Sequence, residues 1–429
     1  MLPMSPLRSD REVVLVVGTT PDYIDWLRRA APGSVLFLTD PAIWQGAKES
    51  RPDPEEEIRC DLTNDRLVRT SLTRHLARWN LKLSGIACYD CESMELAAAL
   101  AVDYALSYPA LRAIHHCRDK YLSKLIWKEN RLPCPEVRKV RSEEETIHFL
   151  EKLGGPLVLK PLCGAGSELV FRCTSPADCD INYQRVLSGL ERLRTNRLYC
   201  SDAPAAELII AEEFIQGEEY SCDFIIDDGP LRLIRLARKI RANNRPFGTT
   251  EGYVLIPAPP AGIDGEGFLE TLRRAASALE IHRGICMLDF IVRDNEMVLL
   301  EIAPRPGGDC LPFLLRRACQ LDILKLNLDF ARHFPITPWK QIGDSASYLG
   351  IRIIAGQGGI LKRIDTDKLS EDPRVMEIGL LREPGHIITM PPADYNSWIL
   401  GYIIARLNAA GDAEGQLAEL IEKTVIEVE

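Results

Sequence analysis

CMLDFIVRDNEMVLLEIAPRPGGD, residues 286–309, decides how this chain is read. Two short apolar runs, Cys286–Val292 and Met297–Ile302, flank the polar turn Arg293-Asp294-Asn295-Glu296, which is the pattern of a β-hairpin. Each run carries one acid where an apolar residue is expected, Asp289 in the first and Glu301 in the second. With a three-residue loop (Asp294–Glu296), the two acids face each other on one side of the sheet, about 5 Å apart. Like charges at that spacing repel, so they need a cation between them or one must stay protonated. Hard oxygen ligands on paired strands, with Arg305 close behind, suit Mg²⁺ carrying a phosphate chain. On the hairpin alone, two solvent-facing edge-strand acids remain the competing reading.

The 429 residues are enough chain for several domains, and 46% hydrophobic with 27% charged residues is ordinary globular composition. A net charge of −10 argues against a general nucleic-acid surface but not against a local anion site. No run of about 18 apolar residues suggests a membrane span, and the N-terminus lacks signal-peptide character. Thirteen scattered cysteines fit reduced, buried thiols and a cytoplasmic setting. The lone CxxC, Cys88–Cys91, reads as packing. The adjacent pair His115-His116 points about 100° apart on a helix and does not suggest a metal site.

Going back to the start, Glu12–Val17 with Gly18-Thr19-Thr20, then Ser34–Leu38 and Gly85–Tyr89, alternate with helical patterns at 23–31, 65–79 and 93–106. That predicts an open, mostly parallel α/β sheet. GxGxxG is absent, so an NAD-type oxidoreductase is disfavoured. Lys120 opens a helix at 120–130. Gly155–Pro161 is a strand ending in Lys160, and Gly164, Gly166 and Ser167 form a loop whose N–H groups could close over phosphates. It is not a Walker loop. Leu208–Phe214 is a strand ending in acids, followed by hairpin strands at 220–226 and 231–237. Arg238, Lys239, Arg241 and Arg245 then form a basic cluster, readable as an anion site or as a solvated loop. A helix is expected over Leu311–Phe330, and the tail from Ser347 holds strands and a final helix at 413–423.

Lys120, Val158–Pro161 with its glycine loop, Glu212–Ile215 with Glu219, and Asp289, Glu301 and Arg305 come in a fixed order. The segments CRDKYLSKLIWKENRLPCP, GPLVLKPLCGAGSELVF, IAEEFIQGEEYS, MLDFIV and LEIAPRPGG resemble the ATP-grasp superfamily of carboxylate–amine ligases. Within it, the likeness is greatest to L-amino acid ligases (dipeptide synthetases) and relatives in natural-product biosynthesis. The resemblance implies an α/β chain, α+β in its central part, with the ATP-grasp fold. The expected organisation is an N-terminal α/β domain (1–114), a helical entry and lid (115–213), an antiparallel core (214–345) and a C-terminal subdomain (346–429).

It also implies site roles. Lys120 and Lys160 would grip the ATP phosphates, and Gly164, Gly166 and Ser167 would close over them. Glu212, Glu213, Phe214 and Ile215 would read adenine, while Glu219 would hold the ribose. Asp289 and Glu301 would bind two Mg²⁺, with Mn²⁺ an acceptable substitute. Arg305 would steady the acyl phosphate, and Glu251 would orient the amine. Gly307, Gly308 and Asp309 would adjoin the substrate, Asp309 also being placed to cap the next helix. The family's Glu-x-Asn-x-Arg motif has Ala303 in place of Asn, so water would complete the second metal site, a one-metal site or an impaired enzyme being the alternatives.

The expected reaction joins an amino acid or other carboxylic acid to an amine through an acyl phosphate, releasing ADP and phosphate. The expected partners are those small molecules, with neither nucleic acid nor membrane, and a homodimer is compatible. Rival readings are another ATP-grasp reaction (carboxylation or purine-type ligation) and a nucleotide-binding pseudoenzyme.

Overall fold

The computed structural model describes residues 11–199, 203–242, 244–341, 343, 347–408 and 411–429. The patch expected to be irregular near Ser201–Ala206 lies partly outside them. The chain divides into two compact units, Met1–Ile114 with Asp322–Pro338, and His115–Leu321 with Trp339–Glu429.

In the first unit the apolar runs become β1 (Arg11–Val17), β2 (Val35–Thr39), β3 (Glu57–Arg59) and β4 (Leu81–Cys88). They form a parallel sheet in the order β3-β2-β1-β4. The helix Ile323–Ala331 returns to this sheet. A Cβ on Gly85 would stand 2.6 Å from the Ala331 carbonyl oxygen, so only glycine admits the contact. Trp26 Nε1 donates to Asp322 Oδ2 at 2.9 Å, and Tyr89 Oη donates to the Leu324 carbonyl at 2.7 Å.

The second unit opens with a four-stranded antiparallel sheet of β5 (Val137–Lys139), β6 (Leu157–Pro161), β7 (Phe171–Cys173) and β8 (Ile209–Glu213). Its core strands are β9 (Glu218–Asp227), β10 (Leu231–Arg241), β11 (Thr250–Leu255), β12 (Arg283–Arg293) and β13 (Glu296–Ala303). The tail adds β14 (Tyr348–Ile354), β15 (Gly359–Asp365), β16 (Val375–Leu380), β17 (Ile387–Ile388), β18 (Ile399–Arg406) and β19 (Val425–Val428). Eight of these strands join in one antiparallel sheet, β13-β12-β9-β10-β11-β14-β18-β16, while β17-β15-β19 form a small separate one.

Two sequence expectations change. The helix expected over Leu311–Phe330 is two helices, Leu311–Cys319 and Ile323–Ala331. Gln320 adopts a left-handed conformation (φ 54°) that ends the first, and the Asp322 carboxylate accepts from Lys325 N to start the second. The second change is that β10 runs to Arg241, so most of the basic cluster is strand rather than loop. Its period-2 alternation sends Lys239 and Arg241 to one face and Arg238 to the other, where Arg238 pairs with Glu414.

At the middle of the large sheet Arg235 and Asp223 form a fully buried two-pronged ion pair, with Nε to Oδ2 at 2.8 Å and Nη2 to Oδ1 at 3.0 Å. Arg235 Nη1 also donates to the Ser221 carbonyl at 2.9 Å. Replacing one partner of such a pair leaves an uncompensated buried charge. Arg235→Met is therefore expected to cost about 3–5 kcal/mol, read as a lower denaturant midpoint. A loss under about 1 kcal/mol would show that this pair is not what holds the sheet centre.

Candidate active site

The hairpin turn is two residues, not three. Arg293 pairs with Glu296, and Asp294 and Asn295 have φ of 52° and 62°, the left-handed pair of a type I′ turn. That turn alone would set Asp289 opposite Leu300. The register shifts between Asp289 and Phe290, however, with Phe290 opposite Leu299 and Asp289 opposite Glu301. Leu300 is the extra residue of a β-bulge, and the bulge restores the confrontation of the two acids.

The Leu300 carbonyl accepts from Lys124 Nζ. Lys124 is fully buried, and its ammonium also pairs with Glu212 Oε1 at 3.1 Å. Burial pushes the Lys124 amine down to about 8, against the pull of Glu212. Glu212 takes Lys160 on its other oxygen at 2.7 Å. Lys120 completes the group, 3.2 Å from Glu301 and donating to the Gly164 carbonyl at 2.8 Å.

Apart from the fully buried Lys124, these side chains line an open cleft of about 880 Å³, its mouth included. Its walls hold twelve of the residues singled out from sequence: Lys120, Lys160, Gly164, Gly166, Ser167, Glu212, Glu213, Phe214, Ile215, Glu219, Asp289 and Glu301. In the glycine loop Gly166, Ser167 and Leu169 are left-handed (φ 66°, 60° and 56°). Tyr199 backs the loop, with its hydroxyl donating to Glu168 Oε2 at 2.7 Å. At the opposite wall Arg172 stacks 4.1 Å over the Phe214 ring, and Phe247 lies 6.1 Å from it. The amides of Glu213 and Phe214 are engaged by the Glu136 and Pro156 carbonyls.

Sequence reasoning missed Lys124 and Phe247, and it left Lys239 and Arg241 inside an undivided cluster. Lys239 Nζ lies 2.5 Å from Asp289 Oδ2 and 2.8 Å from Glu219 Oε1, and Arg241 pairs with Glu219. Burial raises the Asp289 carboxyl despite Lys239, because Glu301 and Glu219 stand nearby. Burial would raise Glu301 too, but Lys120 and Lys160 prevail and hold it at about 2.

Glu251, Arg305, Gly307, Gly308 and Asp309 lie outside this lining. Arg305 Nη1 donates to the Pro306 carbonyl at 2.8 Å, and Gly307 N donates to Asp223 Oδ1 at 3.2 Å. Asp309 does not cap the following helix, whose N-cap is Cys310. Its carboxylate pairs with Arg352 instead.

Among the described residues no three His, Cys, Asp or Glu side chains are grouped to hold a metal by themselves. A divalent ion here would be shared with phosphate oxygens and water, as suits Mg²⁺. Asp289 Oδ1, buried and without a hydrogen-bond partner among the described residues, fits that role.

Residues 153–312 match the family model described as "ATP-grasp domain". The likeness to an ATP-grasp domain is carried by that span. A D-alanine–D-alanine ligase of Paracidovorax citrulli is 28% identical over 210 residues, covering 46% of this chain and 57% of that enzyme. An L-arginine-specific L-amino acid ligase of Bacillus subtilis is 21% identical over 291 residues, 66% of each chain. The crystal structure of an L-amino acid ligase from Bacillus licheniformis superposes with a TM-score of 0.72 at 18% identity, over 99% of this chain and all of that one. No helix among the described residues is long and apolar enough to cross a membrane.

Two outcomes test the cleft. Lys124→Met should cost about 3–5 kcal/mol of stability by leaving Glu212 short of a partner, and a melting temperature equal to wild type would contradict that. Glu301 is depressed from 4.5 to about 2, so its stabilisation is present above pH 4.5 and lost as pH falls through 2. Urea midpoints of wild type should therefore fall more steeply than those of Glu301→Gln across that window. Parallel curves would count against the lysine cage.

Proposed function

We propose that this chain is an ATP-dependent carboxylate–amine ligase acting on amino acids or closely similar acids and amines. The observation that carries the proposal is the opposition of Asp289 and Glu301 beneath Lys120, Lys160 and the glycine loop, inside an ATP-grasp domain. Amide formation from a free carboxylate is uphill in water, so the acid is activated first. Its oxygen attacks the γ-phosphorus of ATP, the bond to the β-phosphate oxygen breaks, and ADP leaves an acyl phosphate. The neutral amine then attacks the acyl carbon, phosphate departs, and the amine loses its extra proton.

Phosphoryl transfer needs positioning and charge neutralisation rather than a protein nucleophile. Lys120 and Lys160 hold the triphosphate from two sides, and Glu212 keeps Lys160 in place. Glu219 binds the ribose hydroxyls, and the hinge Glu212–Ile215 reads adenine beside Phe214. The glycine loop excludes water that would hydrolyse the acyl phosphate. Asp289 and Glu301 would hold Mg²⁺ together with phosphate oxygens, and the ion would supply charge stabilisation to the transferring group. Arg305, Gly307, Gly308 and Asp309 form the acyl side. Glu251 accepts hydrogen bonds from the amine and suits an α-ammonium group before its deprotonation.

The experiment is phosphate release from ATP across pairs of amino acids, with hydroxylamine trapping of the acyl phosphate and mass spectrometry of products. Hydroxamates of amino acids are expected, and Lys160→Ala and Glu301→Ala should each lower turnover by about a hundredfold or more. ATP binding without phosphate release for any acid and amine would point to a pseudoenzyme. Release that depends on bicarbonate or a nucleotide amine would point to the other ATP-grasp chemistries.

A further inference from the structure

Lys239 is a cation of the cleft that no sequence motif assigned. The last turns of the β10 alternation carry it inward, and its side chain is only 10% exposed. Its ammonium sits between one oxygen of Asp289 and one of Glu219, at 2.5 and 2.8 Å. Among the described residues, Oδ1 of the Asp289 carboxylate is without a hydrogen-bond partner. Across the hairpin, Ala303 lies two residues beyond Glu301 on the same face of β13, opposite Met287, and offers a methyl group where an oxygen donor would be needed.

Ions in two-metal phosphoryl sites stand about 3.5–4 Å apart and share bridging oxygens. Each small hard ion demands near-octahedral oxygen coordination. Asp289, Glu301 and water can complete one such sphere with phosphate oxygens. A second ion would have to displace an ammonium already bound to two carboxylates, and it would gain no ligand from position 303. An ammonium is a compact point charge with three donors, able to hold Asp289, Glu219 and a phosphate oxygen at once.

We propose that this chain takes a single divalent ion, and that the Lys239 ammonium, fixed between Asp289 and Glu219, supplies the terminal phosphates with the positive charge a second ion would bring. The inference rests on the nucleotide site of the ligase reading. It differs from that reading in what it counts, since it concerns metal stoichiometry and not turnover.

The test uses the full chain with an equimolar amount of the non-hydrolysable imido analogue of ATP, titrated with Mn²⁺. Free Mn²⁺ is followed by electron paramagnetic resonance, and analogue binding by calorimetry. One Mn²⁺ per chain with an uncoupled six-line spectrum is expected. Two per chain with an exchange-coupled spectrum would overturn the proposal. Ala303→Asn alone should stay at one, because Asp289 remains on Lys239, whereas Lys239→Met combined with Ala303→Asn should double the bound Mn²⁺. A second ion in Ala303→Asn alone, or none gained in the folded double variant, would remove Lys239 from the role. Failure of the analogue to bind at all would instead strike the nucleotide site, and this inference would go with it.

Discussion

One extra residue in one strand governs the site. A type I′ turn after Arg293 favours the strand twist but would leave Asp289 facing Leu300. The bulge at Leu300 slips the ladder by one, and a one-residue slip decides which side chains share a face. A bulged strand has a carbonyl that the ladder does not satisfy, and burial makes that costly. Lys124, from a helix 176 residues earlier, answers that carbonyl. Its ammonium in turn requires an anion, which Glu212 provides, and Glu212 seats Lys160. The register of the hairpin and the placement of Lys160 are therefore one arrangement.

The charge pattern follows from the same economy of desolvation. Ions removed from water persist only when paired and hydrogen-bonded. Four carboxylates of the cleft each meet an ammonium or guanidinium: Glu212 with Lys124 and Lys160, Glu219 with Lys239 and Arg241, Asp289 with Lys239, and Glu301 with Lys120. A polyphosphate bound as proposed would exchange partners with groups already held in position, which would limit reorganisation on binding. The Asp223–Arg235 pair lies deeper on the same sheet face and anchors Gly307, where a Cβ would stand 2.5 Å from Arg235 Nη2.

The hairpin and its two acids were legible because an acid interrupting an apolar alternation is conspicuous. The expected three-residue loop was not what formed, yet the facing pair emerged, since turn and bulge offset each other. The bulge itself had no local signature, because Lys124, which satisfies its carbonyl, lies 176 residues away in the chain. In KYLSKLIWK that residue looks like any lysine on a helix, and only the fold shows its burial. The clustered cations of β10 were visible as a group, but dividing them needed the strand to continue past Ala237. The break at Gln320 was hidden by apolar residues on both sides of it. Asp309 carried a plausible capping position, and a long-range partner, Arg352, claimed it instead.

The first unit is assembled from two separated pieces of chain, and this bears on biosynthesis. Its parallel sheet is specified by residue 88, but the helix that seats against Gly85 is not made until after Asp322. At about 5–20 residues per second, the roughly 200 intervening residues take on the order of ten to forty seconds to emerge. Until then the face of the sheet at Gly85 lacks the helix that covers it in the folded unit.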